Sequence, residues 1–136
     1  IIVPDLPYEE SEVLREALKE TDLAIVPLIS LTSPKERISK IVRAGEGFIY
    51  AITVNGITGA REGMNNDLHE YLHAIKELSN LPVMVGFGIS TPEQVEKMNG
   101  MADGVIVGSA IVEAFREQDL ELISSLINAS KNKVIS

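Results

Sequence analysis

The stretch that decides the fold is Val83–Pro92, which reads Val-Met-Val-Gly-Phe-Gly-Ile-Ser-Thr-Pro. A short apolar run ends in glycines and passes into Thr91-Pro92, a typical start of a helix with a capping hydroxyl and a proline in its first turn. One strand–helix unit later the pattern recurs, because Gly104–Val107 is followed by Gly108-Ser109 and a further helix. Two successive strand–glycine–helix junctions predict a parallel sheet whose loops can bind a ligand at one end of the strands.

The same alternation extends outward along the whole chain. Apolar runs without polar alternation predict strands covered on both faces, at Ile1–Val3, Leu23–Ile29, Phe48–Val54, Pro82–Gly86 and Gly104–Val107. Helical stripes lie between and after them, at Val13/Leu14/Ala17/Leu18, Ile38/Ile41/Val42, Leu68/Leu72/Ile75/Leu78, Val95/Met98 and Leu122/Ile123/Leu126/Ile127. This order fits either an open doubly wound sheet or about five-eighths of a (β/α)8 barrel of roughly 250 residues.

Two helix starts carry the same signature. Ser33-Pro34-Lys35-Glu36 and Thr91-Pro92-Glu93-Gln94 both predict a capping box, in which side chains satisfy the free N–H groups of the first turn. One connection differs from the others, since residues 55–66 are polar and contain glycines. This segment predicts a mobile loop, either a lid over a substrate or an ordinary flexible connection.

Composition limits the classes of function. The chain has 136 residues, 45% of them apolar, no cysteine and a formal net charge of −8. Such a balance argues against nucleic acid as a partner, whereas backbone amides could still bind a small anion locally. The absence of cysteine excludes disulfides and thiolate chemistry and is compatible with the cytoplasm. No apolar run reaches the roughly 20 residues needed to span a membrane.

The paired glycine junctions point to a phosphate site. Gly86–Ser90 and Gly108-Ser109 each let the backbone approach a ligand and lead to a helix N-terminus, where free N–H groups favour an anion. In phosphate-binding barrels the loops after the last two strands do this together. Asp5 and Tyr50 are further candidates: Asp5 for catalysis, helix capping or a partner contact, and Tyr50 for the site or simply the core.

His69–His73 reads His-Glu-Tyr-Leu-His and matches the helical zinc-protease pattern. These are the only histidines of the chain, and Leu68, Leu72 and Ile75 supply an apolar stripe on the same helix. A surface helix is therefore the favoured interpretation, and no metal site is predicted.

With these motifs in order, the chain resembles the alpha subunit of tryptophan synthase. The resemblance rests on Val3–Pro7, Tyr50 followed by Gly56–Ala60, Gly86–Val95 and Asp103–Ala110. It implies a TIM barrel, with residues 1–136 forming the C-terminal portion of one (β/α)8 domain, from about strand 4 to strand 8, and an N-terminal part lying outside this sequence. It also implies substrate or phosphate contacts from Tyr50, Thr58, Gly59, Phe87, Gly88, Gly108 and Ser109.

The resemblance further implies a lyase of tryptophan biosynthesis in the cytoplasm, which cleaves indole-3-glycerol phosphate to indole and glyceraldehyde 3-phosphate. It implies no cofactor or metal in this subunit, and a beta subunit as partner that carries pyridoxal phosphate within a heterotetramer. The catalytic glutamate and aspartate of the family are expected upstream, so no catalytic residue is assigned in this segment, and the isolated segment is predicted to be inactive. Two alternatives stay open: another phosphate-sugar barrel enzyme, such as an epimerase or isomerase, and a non-catalytic half-barrel that self-assembles.

Overall fold

The structure, a computed structural model, describes residues 1–53 and 62–131, with the backbone alone for 62–66. The described part contains a short 3-10 helix at Tyr8–Glu10 and the following elements in chain order: α1 (Ser11–Leu18), β1 (Leu28–Ser30), α2 (Lys35–Arg43), β2 (Ile49–Ile52), α3 (Glu62–Leu78), β3 (Val83–Gly86), α4 (Pro92–Asn99), β4 (Gly104–Ile106), α5 (Ser109–Arg116) and α6 (Leu120–Lys131).

The four strands form one parallel sheet in the order β1-β2-β3-β4. Ile52 pairs with Gly86 and Gly86 with Ile106, so the carboxyl ends of β2, β3 and β4 lie side by side. Neighbouring strands are also consecutive in sequence, with helices between them, which is the arrangement of a (β/α) barrel rather than of a doubly wound sheet with a reversal of strand order.

The core lies between one face of the sheet and the helices. Ile29, Ile49, Ala51, Val83 and Val85 point to this face, and each is fully buried. The helices cover them with the stripes expected from the sequence, which include Ile38, Ile41, Val42, Leu68, Leu72, Ile75, Val95, Met98 and Leu126. Burying each such side chain contributes about 1.5–3 kcal/mol, so this interface is the main source of stability in the described part.

The other face of the sheet is more open than the sequence predicts. Along β2 the burial alternates, with Tyr50 and Ile52 only half-buried between fully buried neighbours. Leu28, Met84 and Ile106 on the adjoining strands are likewise half-buried. The expectation of strands covered on both faces is wrong for these residues, because the helices pack on one face only; in a closed barrel the other face lines the interior.

The first predicted strand is not formed as such. Ile1–Val3 makes two hydrogen bonds with its neighbour: the terminal ammonium donates to the carbonyl of Ala24 at 2.6 Å, and Val26 N–H donates to Ile1 at 2.9 Å. These two hydrogen bonds are too few to form a β-ladder between the two segments. The second predicted strand begins later, at Leu28, because Pro27 has no N–H to donate. The remaining three strands agree with the prediction to within a residue or two.

The two predicted capping boxes have different outcomes. Thr91 accepts a hydrogen bond from the N–H of Gln94, and the Gln94 side chain bonds back to the N–H of Thr91, so this capping box is confirmed. The prediction at Ser33 is wrong, because α2 begins at Lys35 and the Ser33 hydroxyl lies 3.1 Å from that of Ser30 instead.

The loop predicted at residues 55–66 is shorter than expected, since α3 already begins at Glu62. A helix whose later turns are held by Leu68, Leu72 and Ile75 extends towards its N-terminus at little cost, because nucleation is the expensive step. The chain after Ser109 also holds two helices, α5 and α6, where one apolar stripe had been assigned. No helix of the described residues is long and apolar enough to span a bilayer.

Candidate functional site

The candidate site lies at the carboxyl ends of β3 and β4. The two strands are hydrogen-bonded neighbours, and Gly86 at the end of one pairs with Ile106 near the end of the other. The turns that follow, at Phe87-Gly88 and Gly108-Ser109, therefore leave the same edge of the sheet, and all four of these residues are exposed. This is the edge at which parallel α/β proteins bind their ligands.

The turn after β3 has a backbone that few sequences adopt. Phe87 has φ of 89° and Gly88 has φ of 73°. Glycine accepts such values without strain, whereas a bulky side chain at positive φ is a genuine outlier of the kind that clusters at functional sites. The Phe87 ring is 55% exposed, so apolar packing of the ring does not explain the conformation.

The capping box narrows the set of amides that could bind an anion here. Gln94 Oε1 accepts hydrogen bonds from the N–H groups of Ser90, at 2.8 Å, and of Thr91, at 3.2 Å. These amides already have a partner within the chain. The predicted cradle from Gly86 to Ser90 is therefore too broad, and the exposed N–H of Gly88 is the better candidate donor on this side.

The turn after β4 leads into α5, whose N-cap residue offers no side-chain hydrogen bond to the N–H groups of the first turn. Gly108 is the N-cap of α5 and makes no side-chain cap hydrogen bond, having no side chain. A Cβ built on Gly108 would meet no atom within 4 Å. Among the first-turn N–H groups of α5, that of Ile111 donates to the Gly108 carbonyl at 3.0 Å, which leaves those of Ser109 and Ala110 as candidate donors, with the positive end of the helix dipole behind them.

Tyr50 lies on the half-open face of the sheet, below these turns. A Cβ built on Gly86 would lie 2.7 Å from the Tyr50 hydroxyl oxygen, so the tyrosine crosses the sheet directly over this glycine. Partial burial raises the pKa of the Tyr50 phenol above its ordinary value, which keeps it protonated and able to donate a hydrogen bond. The structure therefore brings Tyr50 close to the β3 end of the site.

Asp5 lies elsewhere. It is exposed and lies within the turn in which the Leu6 N–H donates to the Val3 carbonyl. It caps no helix of the described part, since the 3-10 helix and α1 have Pro7 and Glu10 as N-caps. It borders a cavity of about 350 Å³ between the N-terminal segment, β1 and α2. No catalytic role for Asp5 follows from this position.

The histidine motif is on the outer surface of α3. Both rings are exposed and stack with their centroids 6.3 Å apart, while Leu68 and Leu72, each directly before one of the histidines, are buried in the core. Within residues 1–53 and 62–131, no group of three or more potential ligands is placed to hold a metal ion. The interpretation as a surface helix is confirmed for these residues.

Thr58 and Gly59, the remaining predicted site residues, lie outside the described residues. One residue that matters was missed. Thr53, directly after β2, is 1% exposed, and its hydroxyl lies 3.0 Å from the carbonyl oxygens of both Gly86 and Phe87. A hydroxyl at the carboxyl end of a strand was the available signal, but its partners lie more than thirty residues further along the chain.

The fold and the site together define a barrel-type α/β protein with a candidate anion site after its last two described strands. Within this class, residues 1–134 match the family model described as tryptophan synthase alpha chain, and the chain belongs to that family. This assignment favours the predicted resemblance over the alternative of an epimerase or isomerase barrel.

Individual relatives agree with the family assignment. The chain is 50% identical over 133 residues to the tryptophan synthase alpha chain of Bacillus cereus (strain B4264), covering 98% of this chain and 52% of the relative. Among solved structures, tryptophan synthase subunit alpha from Campylobacter jejuni matches with a TM-score of 0.80 and 38% identity, over 95% of this chain and 51% of that one. Tryptophan synthase from M. tuberculosis, in an open form, matches with a TM-score of 0.77 and 32% identity, over 96% and 48%. The chain thus spans about half the length of these relatives and has the fold of part of a TIM barrel.

Proposed function

We propose that this chain supplies the phosphate-binding part of a lyase that cleaves indole-3-glycerol phosphate to indole and glyceraldehyde 3-phosphate. The family assignment supports the reaction. The observation that carries the proposal is the pair of exposed glycine turns at the ends of neighbouring strands, one with two positive φ angles and one leading to a helix start without a side-chain cap. The amides of Gly88, Gly108 and Ser109 are the proposed donors.

The remaining predicted residues have supporting roles in this proposal. Gly59 and Thr58 lie outside the described residues, and the family resemblance alone assigns them a fourth amide and a contact to the substrate. Phe87 covers the ligand from the exposed side, and Tyr50 borders the reacting part of the substrate. The phosphate is remote from the bond that breaks, and binding it fixes the orientation of the substrate. This positioning lowers part of the activation barrier.

The bond cleavage requires groups that we do not assign to this segment. A retro-aldol reaction on an indole needs one acid to protonate the ring carbon and one base to remove the hydroxyl proton of the side chain. The proposal places these on a glutamate and an aspartate outside residues 1–136, so that these residues alone bind phosphate weakly and do not turn over. The proposed partner is a tryptophan synthase beta subunit, which carries the pyridoxal phosphate, while the alpha-type chain needs no cofactor.

Gly108→Ala in the natural gene product that carries these residues tests the proposal. The added methyl meets no protein atom and enters the space assigned to the phosphate. Because Gly108 has φ of −109° and ψ of −87°, outside the usual regions of other residues, urea unfolding of the variant checks that it folds. We expect the KM for indole-3-glycerol phosphate to rise about tenfold, measured by indole release. Gly100→Ala, at the end of α4, is the matched control and should leave KM unchanged. An unchanged KM in Gly108→Ala would remove Gly108 from the site, and absence of indole release from the unmodified protein would refute the reaction itself.

A further inference from the structure

Thr53 connects the end of β2 to the turn after β3. Its N–H donates to the carbonyl of Gly86 at 3.1 Å, and its hydroxyl is shared between the carbonyls of Gly86 and Phe87, each at 3.0 Å. The side chain is almost completely buried, at 1% exposure. One residue therefore holds two successive carbonyls of the turn from its buried side.

The position of these carbonyls decides where the amides point. In a trans peptide the C=O and the N–H lie in one plane and face opposite directions, and the described chain has no cis peptide bond. The carbonyl of Gly86 belongs to the same peptide as the N–H of Phe87, and the carbonyl of Phe87 to the same peptide as the N–H of Gly88. With both carbonyls turned towards Thr53, the N–H of Phe87 points across β3 towards β4, and the N–H of Gly88, in the exposed turn beyond the strand, points away from Thr53.

The backbone angles show why the turn needs such a restraint. Phe87 at φ of 89° is in a strained region of the backbone for a bulky residue. If the carbonyl of Phe87 were released, its peptide could rotate to a relaxed conformation, and the N–H of Gly88 would leave the exposed side. Among the described residues, the hydrogen bond from the Thr53 hydroxyl to the Phe87 carbonyl opposes this rotation.

We propose that Thr53 is a positioning residue, which orients the amide of Gly88 towards the phosphate group of the substrate. Thr53 acts through the backbone of Phe87 and Gly88 and does not itself contact the ligand. This inference rests on the proposed function, which supplies the phosphate.

The test compares Thr53→Val and Thr53→Ser in the natural gene product. Valine keeps the shape and removes the hydroxyl, whereas serine keeps the hydroxyl. With glycerol 3-phosphate as the probe in calorimetric titration, we expect Thr53→Val to bind roughly three- to tenfold more weakly and Thr53→Ser to bind within about twofold of the unmodified protein. The KM for indole-3-glycerol phosphate should rise with the loss of affinity, while kcat changes less.

Tyr71→Phe separates positioning from a general loss of stability. Its hydroxyl also donates to a buried carbonyl, that of Ile29 at 2.8 Å, but on the helix side of the sheet. We expect this variant to lose stability as Thr53→Val does and to bind the probe normally. Normal binding by Thr53→Val, or equal weakening by Tyr71→Phe, would overturn the inference.

Amide NMR shifts distinguish a failure of the inference about Thr53 from a failure of the proposed function. In the ligand-free protein, Thr53→Val should shift the amide resonances of Phe87 and Gly88, and Thr53→Ser should restore them. If these shifts appear but the unmodified protein does not bind glycerol 3-phosphate, the phosphate site is refuted and the restraint by Thr53 stands. If Thr53→Val leaves both resonances unchanged, the restraint is refuted, whatever the protein binds.

Discussion

Gly86→Ala tests the packing beneath the site more directly than any other single change. The new Cβ would lie 2.7 Å from the hydroxyl oxygen of Tyr50, 3.1 Å from its Cζ and 3.0 Å from the Cβ of Ile106. The Cβ of Ile106 is fixed to the backbone of β4 and cannot move aside, so Tyr50 has to give way. Because its ring is rigid, moving the hydroxyl end displaces the whole side chain.

The expected loss of stability follows from this geometry. Forcing extra methylenes into packed surroundings costs about 1–3 kcal/mol. Contacts of 2.7 Å to Tyr50 on one side and of 3.0 Å to Ile106 on the other place Gly86→Ala in that range. Urea unfolding followed by circular dichroism measures the loss as a lower midpoint with an unchanged slope. Under the proposed function, displacement of Tyr50 should also lower kcat/KM for indole-3-glycerol phosphate in the natural gene product.

A control variant and a second-site variant test the contact between Gly86 and Tyr50. Gly100→Ala has only the Lys97 carbonyl within reach, at 3.6 Å, and a φ of −73° that alanine adopts freely, so its stability should stay equal or rise by about 0.4–1 kcal/mol. Adding Tyr50→Phe to Gly86→Ala removes the closest contact and should recover about 0.5–1.5 kcal/mol in a double-mutant cycle. Equal stability of the two alanine variants, or purely additive effects in the cycle, would show that Tyr50 and Gly86 are not in contact.

Three further predictions concern the scaffold. Thr91→Ala should lower the free energy of unfolding by about 1 kcal/mol, because it removes the capping box of α4, whereas Ser33→Ala, outside any cap, should lower it by less; urea unfolding of both checks this. Burial raises the pKa of the Tyr71 phenol far above its ordinary value of about 10, so folding favours the protonated form. The contribution of Tyr71 to stability should therefore be constant below about pH 10 and fall above it, and Tyr71→Phe should reduce the loss of stability above pH 10. Equal pH profiles of the two proteins in that range would refute the assignment. On α3, Leu72→Ala should lower the free energy of unfolding by about 2–5 kcal/mol, because Leu72 is buried. His69→Ala should lower it by less than about 0.5 kcal/mol, because His69 is exposed. A large effect at His69, or stabilisation of the unmodified protein by zinc, would contradict the interpretation of α3 as a surface helix.

The sequence by itself determined which kind of fold this is. Short apolar runs alternate with amphipathic stripes, and period alone separates the two, so the strands ending at Ile52, Gly86 and Ile106 were located to within about two residues. The same local chemistry identified the capping box at Thr91 and the glycine turns after β3 and β4. A glycine before a helix start can be recognised from the neighbouring residues in the sequence alone. Local patterns failed where a tertiary contact competed, as at Ser33, whose hydroxyl pairs with Ser30 rather than with the helix.

Only the tertiary structure decided how the site is built. Thr53 is distant in sequence from Gly86 and Phe87, and parallel pairing of β2 with β3 brings it under the turn. The same pairing lays Tyr50 over Gly86, and the fold of the turn commits the amide of Ser90 to Gln94 and leaves that of Gly88 exposed. Sequence patterns report the conformation of neighbouring residues, whereas the direction of a carbonyl or an amide depends on what lies across the sheet. The glycines were therefore recognisable from the sequence, and the residue that orients them was not.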